Sequence, residues 1–93
     1  MRTADALALV AAERERQERL KDEGRFVATC ADPEMTDAEK LCVLVEEVGE
    51  AAKEVVTLPE RQLASDSLGS RENLRKELIQ VAAVAVAFVE SLL

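Results

Sequence analysis

Glu46, Glu47 and Glu50 fall within one short stretch of the chain, and Glu77 and Gln80 stand three positions apart further on. Residues three or four apart share a helix face, so Glu47 with Glu50, and Glu77 with Gln80, would each point one way. Two such helices packed together gather four oxygen-bearing side chains at one place. Carboxylates brought together repel, at a cost of roughly a few tenths of a kcal/mol or more per pair. A hard divalent cation between them turns that repulsion into coordination. Carboxylate and amide oxygens suit Mg²⁺, with Mn²⁺ as its substitute, and no softer ligand is placed nearby.

A cluster of acids on a helix is ordinarily no more than a solvated face. Two features argue for more. Gly49 interrupts the cluster, and a glycine inside a helix costs about 1 kcal/mol while letting another backbone come close. Glu77 and Gln80 stand at the entrance to a long apolar helix, where an unpaired carboxylate is costly.

Three helices are needed to hold these residues. The first is expected over about 3–23, with Leu7, Val10 and Leu20 as sparse apolar anchors and a run from Glu13 to Arg19 that is almost wholly charged. Glu and Arg alternating at helical spacing support such a helix through intrahelical pairs, and Gly24 supplies its stop. Thr36-Asp37-Ala38-Glu39 reads as a capping box opening a second helix over about 37–57. Leu41, Leu44, Val45, Val48, Ala52 and Val55 then follow the three-four spacing of a core-facing stripe, with Glu47, Glu54 and Glu50 successively farther from its edge. Pro59 should end this helix by Leu58, and Leu63 to Ser70 reads as a polar connection. The third helix is expected over about 71–92. From Leu78 to Val89 every residue but Gln80 is apolar, which demands cover on several sides. Two other helices, one of them mostly charged, cannot supply it all. The expected architecture is therefore all-α, a single domain over 1–93 forming a small helical bundle completed by oligomerisation, as a homodimer or homotetramer.

Composition agrees and narrows the function. Among 93 residues there are 3 Gly, 2 Pro and 2 Phe, so helix formers dominate. A formal charge of −7 argues against a nucleic-acid polymer as partner, and an anionic substrate would need a local cation to bring it in. With no His, and with Cys30 and Cys42 outside any CxxC pattern, zinc sites and thiol-imidazole catalysis lack their parts. The missing His also disfavours a di-iron carboxylate bundle. Cysteines of this kind read as packing thiols of a reduced, cytoplasmic protein, and no apolar run approaches the ~20 residues needed to span a membrane.

Glu46-Glu47-x-x-Glu50 followed by Glu77-x-x-Gln80 resembles the paired acidic motif of MazG-like nucleotide pyrophosphohydrolases, in the all-α NTP pyrophosphatase superfamily. The stretches from Leu41 to Glu54 and from Lys76 to Ala87 share its character, and the charged run Arg14-Glu15-Arg16-Gln17 is similar to the first helix of small, phage-type members. The resemblance covers residues 10–92. It implies hydrolysis of a nucleoside triphosphate between its α and β phosphates, giving a monophosphate and pyrophosphate. It further implies Glu47, Glu50 and Glu77 as Mg²⁺ ligands, with Gln80 at the fourth position and Glu46 assisting a metal or orienting the attacking water. Lys53, Arg75, Lys76 and Arg14 are candidate phosphate clamps, joined by Arg71, Arg16 and Lys21. Gln80 departs from the motif, which carries Asp there, and so removes one negative charge. Three outcomes stay open: an active enzyme with fewer charged ligands, a site in which Gln80 touches substrate, or a homologue that no longer catalyses. The alternatives are a non-catalytic helical oligomer binding a nucleotide or a protein partner, and a phosphoribosyl-ATP pyrophosphohydrolase-like enzyme.

Overall fold

The computed structural model describes residues 2–63 and 67–93, and the side chains of 2–56 and 71–93. Among the described residues the chain is all-helical: α1 (Thr3–Asp22), α2 (Asp37–Leu63) and α3 (Ser67–Leu92), with no strand. The ends of α1 and α2 form where local chemistry places them. The Thr36 hydroxyl accepts from the Glu39 N–H at 3.1 Å while the Glu39 carboxylate accepts from the Thr36 N–H at 3.2 Å, which closes the capping box. At the other end of α1, Gly24 takes φ +78°, the left-handed conformation that glycine adopts without strain. The Arg25 N–H then reaches the Leu20 carbonyl and the Gly24 N–H reaches that of Lys21, a Schellman stop.

Two boundaries differ from expectation. The helix does not stop before Pro59: α2 runs on to Leu63. A proline removes one backbone donor, and a helix extended on both sides of it can absorb that loss as a local defect rather than an end. The third helix starts at Ser67, so Gly69 and Ser70 are helical rather than part of a connection. Residues 64–66 of the expected polar connection lie outside the described residues.

Helices α2 and α3 pack against each other along their lengths, and α1 packs on α3. The core lies between the α2–α3 hairpin and the segment joining α1 to α2. Cys30, Val84 and Ala87 form its centre, with Ala31, Met35, Val43, Leu44 and Phe88 around them. No large side chain among the described residues is fully buried. The joining segment and α1 are fixed mostly by polar bonds. The Thr29 hydroxyl donates to Glu18 at 2.7 Å, Lys21 pairs with Asp32 at 2.9 Å, and Arg14 reaches across to Glu90 at 2.8 Å. The Lys40 ammonium is buried over the Phe88 ring, 5.9 Å from its centroid.

The stripe expected to face the core of α2 does not do so. Leu44 packs on the core, but Leu41, Val45, Val48, Ala52 and Val55 are exposed. The inward face of α2 is instead Lys40, Val43, Leu44, Glu47 and Ala51, about a third of a turn away around the helix. Periodicity correctly marked an apolar stripe, but it carries no information about which neighbour covers it. Among the described residues no helix is long and apolar enough to cross a membrane.

Candidate metal centre

Glu47 belongs to the inward face of α2, and Glu50, one turn on, is carried toward α3 by the same helical spacing. Glu77 on α3 comes to meet them. One carboxylate oxygen from each of Glu47, Glu50 and Glu77 lies within 4.8 Å of the other two. Helices with the long antiparallel contact of α2 and α3 set this distance, because each carboxylate stands on a rigid element rather than on a loop.

The electrostatics of the cluster are those of crowded acids. Burial pushes the Glu47 carboxyl above the usual carboxylate range, and the charges of Glu50, Glu77, Glu46 and Glu13 push the same way. Glu77 is raised for related reasons: burial first, then the charge of Glu50, a hydrogen bond shared with Glu50, and Glu54. Carboxyls crowded in this way favour their neutral forms more than a free carboxyl does. Glu47 Oε2 and Glu77 Oε2 are buried and have no hydrogen-bond partner. A buried oxygen without a partner loses about 1–3 kcal/mol of hydration. Oxygen donors alone, negative, converging and under-satisfied, fit a hard divalent cation.

Beside the carboxylates lies a cavity of about 360 Å³. Glu47 lines it with Gln80, the apolar Val43, Val84 and Met35, and Phe26, Thr29, Cys30 and Gln17. Burial pushes the Cys30 thiol up, with Lys40 and Arg14 opposing, so the cavity carries a protonated sulfhydryl at neutral pH. Arg16, on the rim, is held by Glu13 in a two-point contact at 2.8 and 3.0 Å. The volume falls at the small end of ligand sites, which run from roughly 300 to 1,000 Å³.

The other candidate residues are distributed as follows. Glu46 is exposed and acts on Glu47 through its charge. Gln80 lines the cavity next to Glu47. Arg14 is placed elsewhere: its guanidinium is buried between Glu18 at 2.6 Å and Glu90 at 2.8 Å, on the α1–α3 seam, and it lines a different groove. Lys21 is bound to Asp32. Lys53, Arg71, Arg75 and Lys76 are exposed. Helical spacing puts Lys76 one turn before Gln80 on the same side of α3, and Arg75 about 160° from Glu77. The cavity wall from Glu13, Gln17, Thr29 and Met35 was not marked by any motif. It arises because the segment after Gly24 folds back over the hairpin, a long-range event with no local signal beyond the glycine itself.

No protein-family model, curated protein or solved structure matches the chain. Any functional reading therefore stands on the site itself.

Proposed function

We propose that this protein is a Mg²⁺-dependent nucleoside triphosphate pyrophosphohydrolase of MazG-like type. The observation that supports the reading best is the convergence of Glu47, Glu50 and Glu77 within 4.8 Å, with two buried carboxylate oxygens left without partners, beside a cavity that shares Glu47 as a wall. A chain of net charge −7 can host a polyanion only through a cation, and this cluster is where one fits.

In this reading Glu47, Glu50 and Glu77 hold Mg²⁺, which supplies neutralisation of phosphate charge and a more acidic water for attack on phosphorus. The nucleoside end enters the cavity, where Phe26 offers a ring face and Gln17, Thr29 and Gln80 offer hydrogen bonds to base or sugar. Glu46, exposed at the edge of the cluster, accepts the proton of the attacking water. Lys76, on the Gln80 side of α3, meets the departing pyrophosphate, with Lys53 as a second cation on α2. Water adds to the α-phosphorus, the bond to the bridging oxygen of the β-phosphate breaks, and a monophosphate and pyrophosphate leave.

Gln80 favours a second reading, in which the same cavity binds a nucleotide without turning it over, because a neutral amide weakens the hold on a cation relative to a carboxylate. Pyrophosphate release measured over a panel of ribo- and deoxyribonucleoside triphosphates with Mg²⁺ or Mn²⁺ separates the two. Turnover that disappears in Glu50→Gln is the expected result. Calorimetric binding with no pyrophosphate from any member of the panel would leave only the binding role.

A further inference from the structure

Glu13 and Gln17 stand one turn apart on α1, and both line the cavity beside the carboxylate cluster. Neither belongs to the acidic motif, and Glu13 has no part in the hydrolysis. Its setting is unusual for an acid on a charged helix. The Glu13 side chain is 14% exposed, against 44% for Arg16, which pairs with it. An ordinary intrahelical pair on a surface leaves both members in water. Here the acid is the inner member and the guanidinium the outer one. Arg16 donates from Nε to Glu13 Oε1 at 2.8 Å and from Nη2 to Oε2 at 3.0 Å, a fork that fixes the plane of the carboxylate. Each carboxylate oxygen can accept two hydrogen bonds, and the fork takes one at each. The remaining acceptor positions have no partner among the described residues. Glu13 also lies at a useful distance from the cluster. Of the four charges that push the Glu47 carboxyl up, that of Glu13 is the weakest, behind Glu50, Glu77 and Glu46. It faces the same space as the cluster without being one of the carboxylates that gather within 4.8 Å.

We propose that Glu13 reads the base, and that this site takes nucleotides whose base carries an exocyclic amino group, cytosine over uracil and adenine over hypoxanthine. The inference rests on the reading of the cavity as the nucleoside end of the site. A carboxylate only accepts hydrogen bonds. It therefore takes an N–H of an amine, the pairing that Glu and Asp make with the exocyclic amine of cytosine. Uracil has a carbonyl at that position, and its oxygen is repelled by a carboxylate that water screens poorly. The ring N–H of uracil offers no escape, because a carbonyl flanks it on each side and both oxygens approach the acid with it. Hypoxanthine likewise has a carbonyl in place of the adenine amine. Gln17, an amide with both donor and acceptor, turns to suit the neighbouring ring atom, so it orients the base without choosing it. The Thr29 hydroxyl already donates to Glu18. Discrimination falls to Glu13, the one carboxylate outside the cluster that lines the cavity among the described residues. Arg16 is a positioning residue, holding the carboxylate plane from the rim while the open acceptor positions of Glu13 are left to the ligand.

Triphosphates that differ only in the amine test this on the native chain: CTP against UTP, and ATP against ITP, each with Mg²⁺. Pyrophosphate release is the readout where turnover occurs, and calorimetry with the same four compounds where it does not. The amine-bearing member of each pair should be preferred roughly 5- to 150-fold, in kcat/KM or in Kd. Glu13→Gln, whose amide can face either group, should bring both ratios close to unity with helical circular dichroism retained. A role confined to holding α1 together would change stability and leave the ratios alone. Preference without pyrophosphate removes hydrolysis and leaves Glu13 as the base reader, whereas equal pyrophosphate release from all four compounds does the reverse. A native chain that ignores the amine, favours the carbonyl, or takes none of the four overturns the proposal, as does a Glu13→Gln chain that keeps the native ratios.

Discussion

Replacing Glu47 by Gln should stabilise the metal-free protein and destabilise the metal-bound one, a reversal of sign that few other arrangements produce. Glu47, Glu50 and Glu77 present oxygens within 4.8 Å of one another. At an effective dielectric of about 20, two unit charges at such a separation repel by about 3.5 kcal/mol. Glu50 is exposed, and Glu47 and Glu77 are only part-buried. Solvent screening cuts the relief from removing one charge to about 1 kcal/mol. Gln also brings an N–H donor toward Glu77, one of whose buried oxygens lacks a partner. For a domain of this size 1 kcal/mol corresponds to a Tm rise of about 4–8 °C, measured in EDTA at pH 8 by circular dichroism. With Mn²⁺ at a hundredfold excess over its Kd the native chain should gain about 2.7 kcal/mol, and the variant much less, since it has lost a ligand. The order of the two Tm values therefore inverts on adding metal. A variant less stable than the native chain in EDTA would show that Glu47 is held by attractive contacts, and the cation reasoning would fail with it.

Other outcomes follow from named contacts. Metal-free stability should fall as pH rises above the ordinary carboxylate range: Glu47 and Glu77 have raised folded pKa values, so their favourable protonated forms are intact below the unfolded carboxylate range and lost as pH climbs through the folded values. Glu18, Asp32 and Glu39 have lowered values and act oppositely, but only at lower pH, so the thermal scans in this window should report the cluster, and Mg²⁺ should flatten them. Gln80→Asp should tighten Mn²⁺ binding several-fold in calorimetry while lowering the metal-free Tm, since it adds a fourth acid beside Glu47. Thr36→Ala should cost about 1 kcal/mol in urea unfolding, the usual worth of an N-cap, without changing the metal Kd. Arg14→Leu should cost about 2 kcal/mol by removing bonds to Glu18 and Glu90, again with metal affinity unchanged, because that guanidinium serves the α1–α3 seam.

Local chemistry was the legible part of the sequence. The Thr36–Glu39 box and the Gly24 stop each depend on atoms within a few residues, and both formed as their residue types require. The pairing of Glu47 and Glu50 with Glu77 was also legible, because helical spacing sets two of the three and only one helix contact is needed to bring the third. What sequence spacing could not supply is which side of a helix meets which neighbour. Arg14 shows this well: a basic residue in a charged run offers itself as a phosphate clamp, yet its partner, Glu90, is 76 positions away. The cavity wall was invisible for the same reason, since Phe26, Thr29 and Cys30 reach Glu47 only after the chain reverses at Gly24.

The two faces of α2 explain why its stripe misled. An amphipathic helix in a self-sufficient domain has one apolar side and turns it inward. In α2 the inward side carries Lys40, Glu47 and Glu54, and the continuous apolar stripe faces out. Buried polar groups are costly, so a chain that placed acids inside and valines outside for no purpose would be poorly stabilised. The first anomaly is resolved if the carboxylates have an occupant from outside the chain, a cation.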